Sequence, residues 1–141
     1  MIPNPNDETL KTLLTNARRI AVVGISDKPD RASYRVARYL RDAGYEILPI
    51  NPRLTTWEGL PAYPTLADVP GAIDIIDVFR KAEDVPPVVT AALAKGCQTF
   101  WLQLGIRNDA AVEPLIARGI TVVQDRCLKI EHQRLCGTET A

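Results

Sequence analysis

The sequence predicts an α/β fold, a doubly wound and mainly parallel sheet of five to six strands with helices on both faces. Short apolar runs rich in Val and Ile alternate with amphipathic stretches, which is the pattern of strand and helix units in a parallel sheet. Glycines follow three predicted helices, at Gly44, Gly96 and Gly119, where a left-handed residue ends a helix. Short, right-handed crossovers between such units produce an open sheet wound in both directions.

The predicted elements follow one another without a long linker, so residues 1–141 are expected to form one domain. Residues 1–6 are expected to be a loose arm, with Asn6 or Asp7 as the cap of a first helix that continues to Ala17. Strands are predicted at 19–25, 45–51, 60–63, 73–79, 99–104 and 121–124. Helices are predicted at 33–43, 84–95 and 109–118, with a short one at 65–69 and another after Asp125. Residues 137–141 are expected to be a disordered tail.

Length, charge and hydropathy restrict the function. A chain of 141 residues suits one compact domain. Its formal net charge is zero, so we expect no nucleic-acid partner, although local basic clusters can still bind a small anion. Apolar runs stay well short of the roughly 20 residues of a membrane span, and the N-terminus lacks the features of a secretory signal. We therefore expect a cytoplasmic protein with no membrane partner.

The cysteines, the histidine and the carboxylates form no recognisable catalytic or metal motif. The cysteines are odd in number and lack a C-x-x-C pair, so neither a zinc site nor a disulfide framework is expected. His132 could meet Cys127 or Cys136 only within one short segment, with nothing to orient its ring. Asp74 and Asp77 are three apart in a predicted strand, which places them on opposite faces. We predict no catalytic residue and no metal.

The loop after the first strand is the strongest candidate for a binding segment, because ligands of doubly wound sheets lie beyond the carboxyl ends of the strands. Gly24 permits a close backbone approach, and Ser26 is a hydrogen-bond donor. Lys28 and Arg31 add positive charge before the start of a predicted helix, where an anion is favoured. The G-x-G-x-x-G fingerprint of dinucleotide-binding proteins is missing. The sequence therefore predicts a phosphate loop of a different kind.

The ends of the next strands narrow the choice of nucleotide. A NAD-binding domain needs an acidic residue after its second strand to accept hydrogen bonds from the ribose. This chain has Asn51, Pro52 and Arg53 there, and Arg53 would suit an additional ribose phosphate, which NADP and coenzyme A both carry. The alternative is that the prolines merely end the strand. After the fourth strand, Phe79 could stack on a flat ring and Arg80 could pair with a phosphate.

The fifth strand and the segment after it supply the last candidates. Gln103 and Gly105 lie between this strand and a predicted helix that Asn108 could cap. Trp101 is expected to be a core residue of a central strand. Gln103 and Gly105 would therefore lie at the same edge of the sheet as the first loop.

As a set, these segments resemble the small bacterial and archaeal CoA-binding domain proteins, which are related to the N-terminal CoA-binding domain of the succinyl-CoA ligase α-subunit. The resemblance covers nearly all of residues 10–135 and is carried by VVGISDKPDRASYRVARYL, GYEILPINP, GLPAYPTLADVP, IDIIDVFR, WLQLGI and VVQDRCLKIEH. It implies a Rossmann-like site for coenzyme A, with Cys127 toward the thiol end of the cofactor. The predicted binding residues are Gly24, Ile25, Ser26, Lys28, Arg31, Ser33, Tyr34, Asn51, Pro52, Arg53, Phe79, Arg80, Gln103, Gly105 and Cys127.

Three functions stay open at this point. The resemblance favours a protein that binds coenzyme A or acyl-CoA and is not catalytic on its own. An NADP-dependent oxidoreductase domain is the alternative, disfavoured by the missing fingerprint and by the lack of an evident proton donor. The third is a detached CoA-binding subunit of an NDP-forming acyl-CoA ligase. Its protein partner would then carry the other ligase domains, and complete ligase activity is not expected from this chain alone.

Overall fold

A computed structural model describes residues 1–137 of the chain. The α-helices are α1 (Asp7–Asn16), α2 (Ala32–Asp42), α3 (Val85–Lys95), α4 (Asp109–Ala117) and α5 (Leu128–Leu135). The strands are β1 (Arg19–Val23), β2 (Glu46–Ile50), β3 (Thr56–Trp57), β4 (Leu60–Pro61), β5 (Ile75–Val78), β6 (Thr99–Leu102) and β7 (Thr121–Val123). Single 3₁₀ turns lie at Leu66–Asp68 and Ala82–Asp84. No helix in this part of the chain is both long enough and apolar enough to cross a bilayer.

The main sheet is parallel and has the strand order β2-β1-β5-β6-β7. After β1 the chain first builds β2 on one side and then returns to build β5 on the other side. The winding direction therefore reverses between β1 and β5, which makes their carboxyl ends the topological switch point of the sheet. The predicted doubly wound, Rossmann-like α/β fold is confirmed, and its parallel sheet has five strands.

Helices cover both faces of this sheet, which is why its strands read as nearly continuous apolar runs. On one face α1, α2 and α5 pack over the strands, and Leu40 and Leu128 belong to the same buried cluster as Trp101. On the other face α3 and α4 do the same, with Val89 and Phe100 in one cluster. The prediction that Trp101 belongs to the core is confirmed.

One predicted strand does not join the main sheet. Leu60–Pro61 pairs antiparallel with Thr56–Trp57 in a separate two-stranded sheet, and from the segment 60–63 only Tyr63 forms a bridge to β2. Proline at position 61 cannot donate a ladder hydrogen bond, which suits an edge position. The short helix predicted at 65–69 is a single 3₁₀ turn. The burial of Trp57 in a strand was not predicted from the sequence either.

In the segment predicted as a loose arm, Asn4 is hydrogen bonded to Gln124 after β7 and Ile2 to Asp109 of α4. The side chain of Asn4 donates to the main-chain oxygen of Gln124 and accepts from its N–H, each at 2.8 Å. The N–H of Ile2 donates to Asp109 at 3.1 Å. Asn6 caps α1 by accepting from the N–H of Thr9. Of the tail predicted at 137–141, only residue 137 is among the described residues.

Candidate functional site

The ends of β1 and β5 touch through their backbones at the switch point. Gly24 has a φ of +83°, and a Cβ at this position would lie 2.5 Å from the main-chain oxygen of Phe79 and 2.5 Å from Nη1 of Arg80. No side chain fits at such distances, so glycine is required both for the backbone conformation and for the close approach. The same geometry brings the Arg80 guanidinium against the first loop.

Two serines shape the loop that follows Gly24. The hydroxyl oxygen of Ser33 accepts a hydrogen bond from the N–H of Ser26 at 2.9 Å. The hydroxyl oxygen of Ser26 accepts from the N–H of Lys28 at 3.0 Å. Both hydroxyls act as acceptors in these bonds, so each keeps its O–H for a further acceptor such as a phosphate oxygen.

Side chains from two neighbouring parts of the chain donate hydrogen bonds to the backbone of the same loop. The side chain of Asn51 donates to the main-chain oxygen of Ile25 at 2.7 Å, and its own oxygen accepts from the N–H of Arg53 at 2.8 Å. The indole N–H of Trp57 donates to the main-chain oxygen of Ser26 at 2.9 Å. Because Asn51 follows β2 and Trp57 lies in β3, the loop is held in one shape by two different parts of the chain.

A polar cleft of about 340 Å³ opens at the amino end of α2. Its lining residues are Gly24, Ser26, Lys28, Arg31, Ala32, Ser33 and Phe79. No side chain caps α2 and its first turn holds no acidic residue, so the free N–H groups and the helix dipole make this end attractive to an anion. Lys28 and Arg31 are exposed and form no ion pair with another described residue. We call this cleft the cationic half of the site.

A second cleft of about 410 Å³ continues from the first and shares Ala32 and Phe79 with it. Its lining residues are Ala32, Val36, Phe79, Arg80, Lys81, Gln103, Leu104, Ile106, Cys127 and Ile130. Leu104 and Ile130 are large apolar side chains with 64% and 51% of their surface exposed. Exposed apolar side chains around a concave surface are typical of a ligand site. We call this cleft the apolar half, and the two halves together the groove.

A buried carboxyl group lies behind the apolar half. Asp77 is 0% exposed, and its neighbours in register are Val22 and Trp101. Its Oδ1 accepts a hydrogen bond from Nε2 of Gln103, whereas its Oδ2 has no partner among the described residues. Burial raises the pKa of Asp77 to about 7, against the hydrogen bond from Gln103, which lowers it. Since Gln103 lines the groove, one amide connects the buried acid to the site.

The structure brings most of the predicted binding residues to the wall of the groove. These are Gly24, Ser26, Lys28, Arg31, Ser33, Phe79, Arg80, Gln103 and Cys127. It places Ile25, Tyr34, Asn51, Pro52, Arg53 and Gly105 elsewhere. Ile25 is buried in the core, and Tyr34 packs on Trp57 with ring centroids 5.4 Å apart. The N–H of Gly105 donates to the side chain of Asp125 at 2.6 Å. Pro52 and Arg53 are exposed and directly follow Asn51, whose side chain bonds to the first loop.

Sequence reasoning missed much of the apolar wall and the acid behind it. Leu104 and Ile130 look like core residues in sequence, because an apolar side chain after a strand or in a helix is usually buried. Val36 belongs to the apolar stripe of α2 and lines the groove as well. Asp77 was visible as a charge inside the otherwise apolar strand IIDV, and this was the signal that could have found it.

The cysteines and the histidine lie in different surroundings. Cys97, Cys127 and Cys136 are all free, and burial raises the pKa of Cys97 to about 11. Cys127 is the N-cap residue of α5, and its side chain makes no capping hydrogen bond. His132 pairs through Nδ1 with the hydroxyl of Tyr39 at 2.7 Å, away from the groove. In the described chain, no group of three or more His, Cys, Asp or Glu is placed to hold a metal ion.

Comparison with known proteins gives the family. A family model described as a CoA-binding domain matches residues 18–133. This chain belongs to the CoA-binding domain family. The uncharacterized protein YneT of Bacillus subtilis (strain 168) is 42% identical to this CoA-binding domain over 129 residues, 92% of the chain and 96% of that protein. The solved structure of cell-free ID.343 from Thermus thermophilus superposes with a TM-score of 0.89 at 41% identity, covering 93% of this chain and 99% of that one.

A more distant relative links this CoA-binding domain to a ligase. It is 26% identical over 126 residues to the alpha subunit of the ADP-forming acetate–CoA ligase I of Pyrococcus furiosus. The match covers 85% of this chain and 24% of that subunit, so this CoA-binding domain spans about a quarter of its length. The family membership that the sequence segments indicated is confirmed, as is the relation to CoA ligase alpha subunits.

Proposed function

We propose that this chain binds coenzyme A or acyl-CoA and is not catalytic on its own. The observation that carries the proposal is the groove at the switch point, whose cationic and apolar halves share Ala32 and Phe79. Coenzyme A is divided in a matching way. Its phosphorylated nucleotide end is anionic and would suit the cationic half, and its pantetheine arm with the thiol would suit the apolar half. Membership of the CoA-binding domain family supports the same class of ligand.

The cationic half would hold the diphosphate. Lys28 and Arg31 supply positive charge that no ion pair with residues 1–137 neutralises, and the hydroxyl of Ser26 is free to donate. The uncapped amino end of α2 adds backbone N–H donors. Arg53 is exposed at the end of β2, where its long side chain suits the additional ribose phosphate. Each charge-assisted hydrogen bond of this kind contributes on the order of 1.5–3 kcal/mol.

The apolar half would hold the pantetheine arm. Phe79 stands where the two halves meet, and Val36, Leu104 and Ile130 offer apolar surface beyond it. Cys127 lines this half, which agrees with the thiol end of the ligand lying there. An acyl group would extend along the same apolar wall. A protein that uses coenzyme A in this way is expected to be cytoplasmic.

Calorimetric titration of one preparation with CoA, dephospho-CoA and NADPH tests this proposal. We expect binding of CoA, weaker binding of dephospho-CoA because one phosphate is missing, and no comparable binding of NADPH. Binding of NADPH alone would contradict the proposal and favour the NADP-dependent alternative. Failure of the folded protein to bind any of the three ligands would contradict the proposal.

The match to a ligase alpha subunit favours a second candidate function, a detached CoA-binding subunit of an NDP-forming acyl-CoA ligase. In that case a protein partner carries the remaining ligase domains. Co-expression of this chain with chains that supply those domains, followed by an assay for acyl-CoA formation, tests it. Activity that requires both chains supports the candidate, whereas activity of the partner chains alone contradicts it.

A further inference from the structure

The side-chain amide of Gln103 is held in one orientation by Asp77. An ionised carboxylate only accepts hydrogen bonds, so the amide must turn its nitrogen toward Asp77, as the structure shows for Nε2. The carbonyl oxygen of the amide then points away from Asp77. Oε1 of Gln103 has no hydrogen-bond partner among residues 1–137, yet it is not among the fully enclosed unpartnered atoms, of which Asp77 Oδ2 is the one in this range. Because Gln103 lines the groove, we infer that this oxygen is accessible to a ligand there.

The side-chain oxygen of Gln103 differs from the other polar groups of the apolar half because it is a strong hydrogen-bond acceptor. Among the described side chains on that wall, Arg80 and Lys81 only donate hydrogen bonds, and the thiol of Cys127 is a weak partner. The others are apolar. Gln103 is therefore the one lining side chain that can accept a strong hydrogen bond from a ligand.

We propose that Asp77 is a positioning residue that fixes the Gln103 carbonyl oxygen toward the groove, so that the apolar half selects a hydrogen-bond donor of the pantetheine arm. The donor is an amide N–H or the terminal S–H. This inference rests on the proposed function for the identity of the ligand. It adds which group of that ligand is recognised, and that a residue outside the groove controls the recognition.

The backbone around Gln103 leaves only its side chain free to change. Its N–H donates to the main-chain oxygen of Val78 at 3.4 Å, and its main-chain oxygen accepts from the N–H of Ile106 at 2.9 Å. If Asp77 takes up a proton, its hydroxyl can donate to Oε1, and the amide can turn over. The N–H₂ group then faces the groove, where a donor on the ligand finds no acceptor.

Protonation of Asp77 is within reach near neutral pH, because burial raises its pKa to about 7. The charged and titratable groups of the helices on this face include Glu8 of α1, Arg35 and Arg38 of α2, and Lys129, Glu131 and His132 of α5. The causes of the pKa shift of Asp77 are burial, which raises it, and the Gln103 hydrogen bond, which lowers it by less. Arg80, Lys81 and Cys127 on the groove wall are not among the causes of the shift.

The test compares CoA affinity at about pH 5.5 and about pH 8.5 in the wild type and in Asp77→Asn. In the wild type we expect CoA to bind about fivefold more tightly at the higher pH, beyond the effect of the ligand's own phosphates. The asparagine amide does not titrate, so that excess should vanish in the variant. Asp74→Asn is the matched control, since Asp74 immediately precedes β5 and bonds the N–H groups of Arg18 and Arg19, and it should keep the wild-type profile.

Acetyl-CoA, titrated in parallel, distinguishes the two donors. It keeps both amides and lacks the S–H, so an equal pH effect for both ligands assigns the donor to an amide. A pH effect confined to CoA assigns it to the thiol. A pH profile of Asp77→Asn that matches those of the wild type and of Asp74→Asn would overturn the inference.

An NMR titration of the wild type keeps the inference testable if Asp77→Asn does not fold. The side-chain amide signals of Gln103 should shift with a midpoint near the pKa of about 7. Signals that do not move between about pH 5.5 and about pH 8.5 would refute the coupling between the two residues. If the protein binds no CoA at any pH, the proposed function fails, and the amide titration still reports on Asp77 and Gln103.

Discussion

The α-carbon of Gly24 faces the main-chain oxygen of Phe79 so closely that a Cβ at this position would lie 2.5 Å from it. This contact joins the end of β1 to the end of β5 at the point where the winding of the sheet reverses. The groove therefore has a backbone floor at the position where the proposed diphosphate would lie. The cationic half and the apolar half of the groove meet at Phe79, next to this contact.

Gly24→Ala should lose both stability and CoA binding. The new Cβ meets backbone that cannot move away, and the left-handed φ of +83° adds a strain of about 1–3 kcal/mol. Gly119→Ala is the control, because its φ is +85° but a Cβ there meets nothing within 4 Å. Urea unfolding should show a larger loss for Gly24→Ala. Equal losses in the two variants would show that the close approach to Phe79 costs nothing.

Lys28→Ala should weaken CoA binding by at least about tenfold, because it removes one charge-assisted contact on the order of 1.5–3 kcal/mol. Arg38→Ala is the matched control, since Arg38 is already paired with Glu58 and Asp42 outside the groove. Calorimetry at two salt concentrations should show a weaker salt dependence for Lys28→Ala than for the wild type. The same affinity loss in both variants would point to net charge instead of a phosphate contact.

Arg53→Ala should weaken the binding of CoA more than that of dephospho-CoA. The side chain is exposed beside Asn51 and does not line either half of the groove, so its contribution depends on reaching the additional ribose phosphate. Titration of both ligands into wild type and variant measures the difference. Equal losses for the two ligands would remove Arg53 from this role.

Asp77→Asn should gain stability relative to the wild type as the pH rises. The pKa of Asp77 is raised from 3.8 to about 7 in the folded state, so the folded protein binds more protons than the unfolded chain between these values. Wild-type stability should therefore fall across this window, by up to about 4 kcal/mol, and stay level above it. Urea unfolding at several pH values checks this. A constant difference between variant and wild type would contradict the raised pKa.

Cys127 should exchange with CoA disulfide more readily than Cys97. The Cys127 thiolate would attack one sulfur of the disulfide, forming a protein–CoA disulfide and releasing one CoA thiolate. Cys97 lies outside the groove, and burial raises its pKa to about 11, which keeps it protonated. Peptide mass spectrometry identifies the modified cysteine. Adducts on Cys97 in preference to Cys127 would contradict the placement of the thiol end.

The sequence predicted the fold well where the physical signal was continuous. Strands buried on both faces give unbroken apolar runs, and the glycines that end the helices mark the boundaries, as the positive φ of Gly44 shows. The segment 60–63 was misplaced because a short apolar run near proline looks the same in a sheet edge and in a separate hairpin.

The site was predictable at the first loop and less so elsewhere. A glycine, a serine and cations before a helix predicted an anion site from residue types alone, and the structure brings these residues to one cleft. Asn51 has a residue type that suits a ligand, but its two hydrogen bonds go to the main chain of Ile25 and Arg53. Leu104 forms part of the groove only because the fold leaves it exposed. Such roles depend on hydrogen-bond partners that are distant in sequence or on surface exposure. The type of a residue alone predicts neither of these.

A map of NMR chemical-shift changes on adding CoA to the isotope-labelled wild-type protein tests the central claim most directly. The claim is that one groove holds the whole ligand, phosphates at the cationic half and pantetheine at the apolar half. We expect the largest chemical-shift changes at residues of both halves of the groove. These are Gly24, Ser26 and Ser33 in the cationic half and Gln103 and Leu104 in the apolar half. Changes confined to another region, such as the cleft beside His132 and Tyr45, would contradict it.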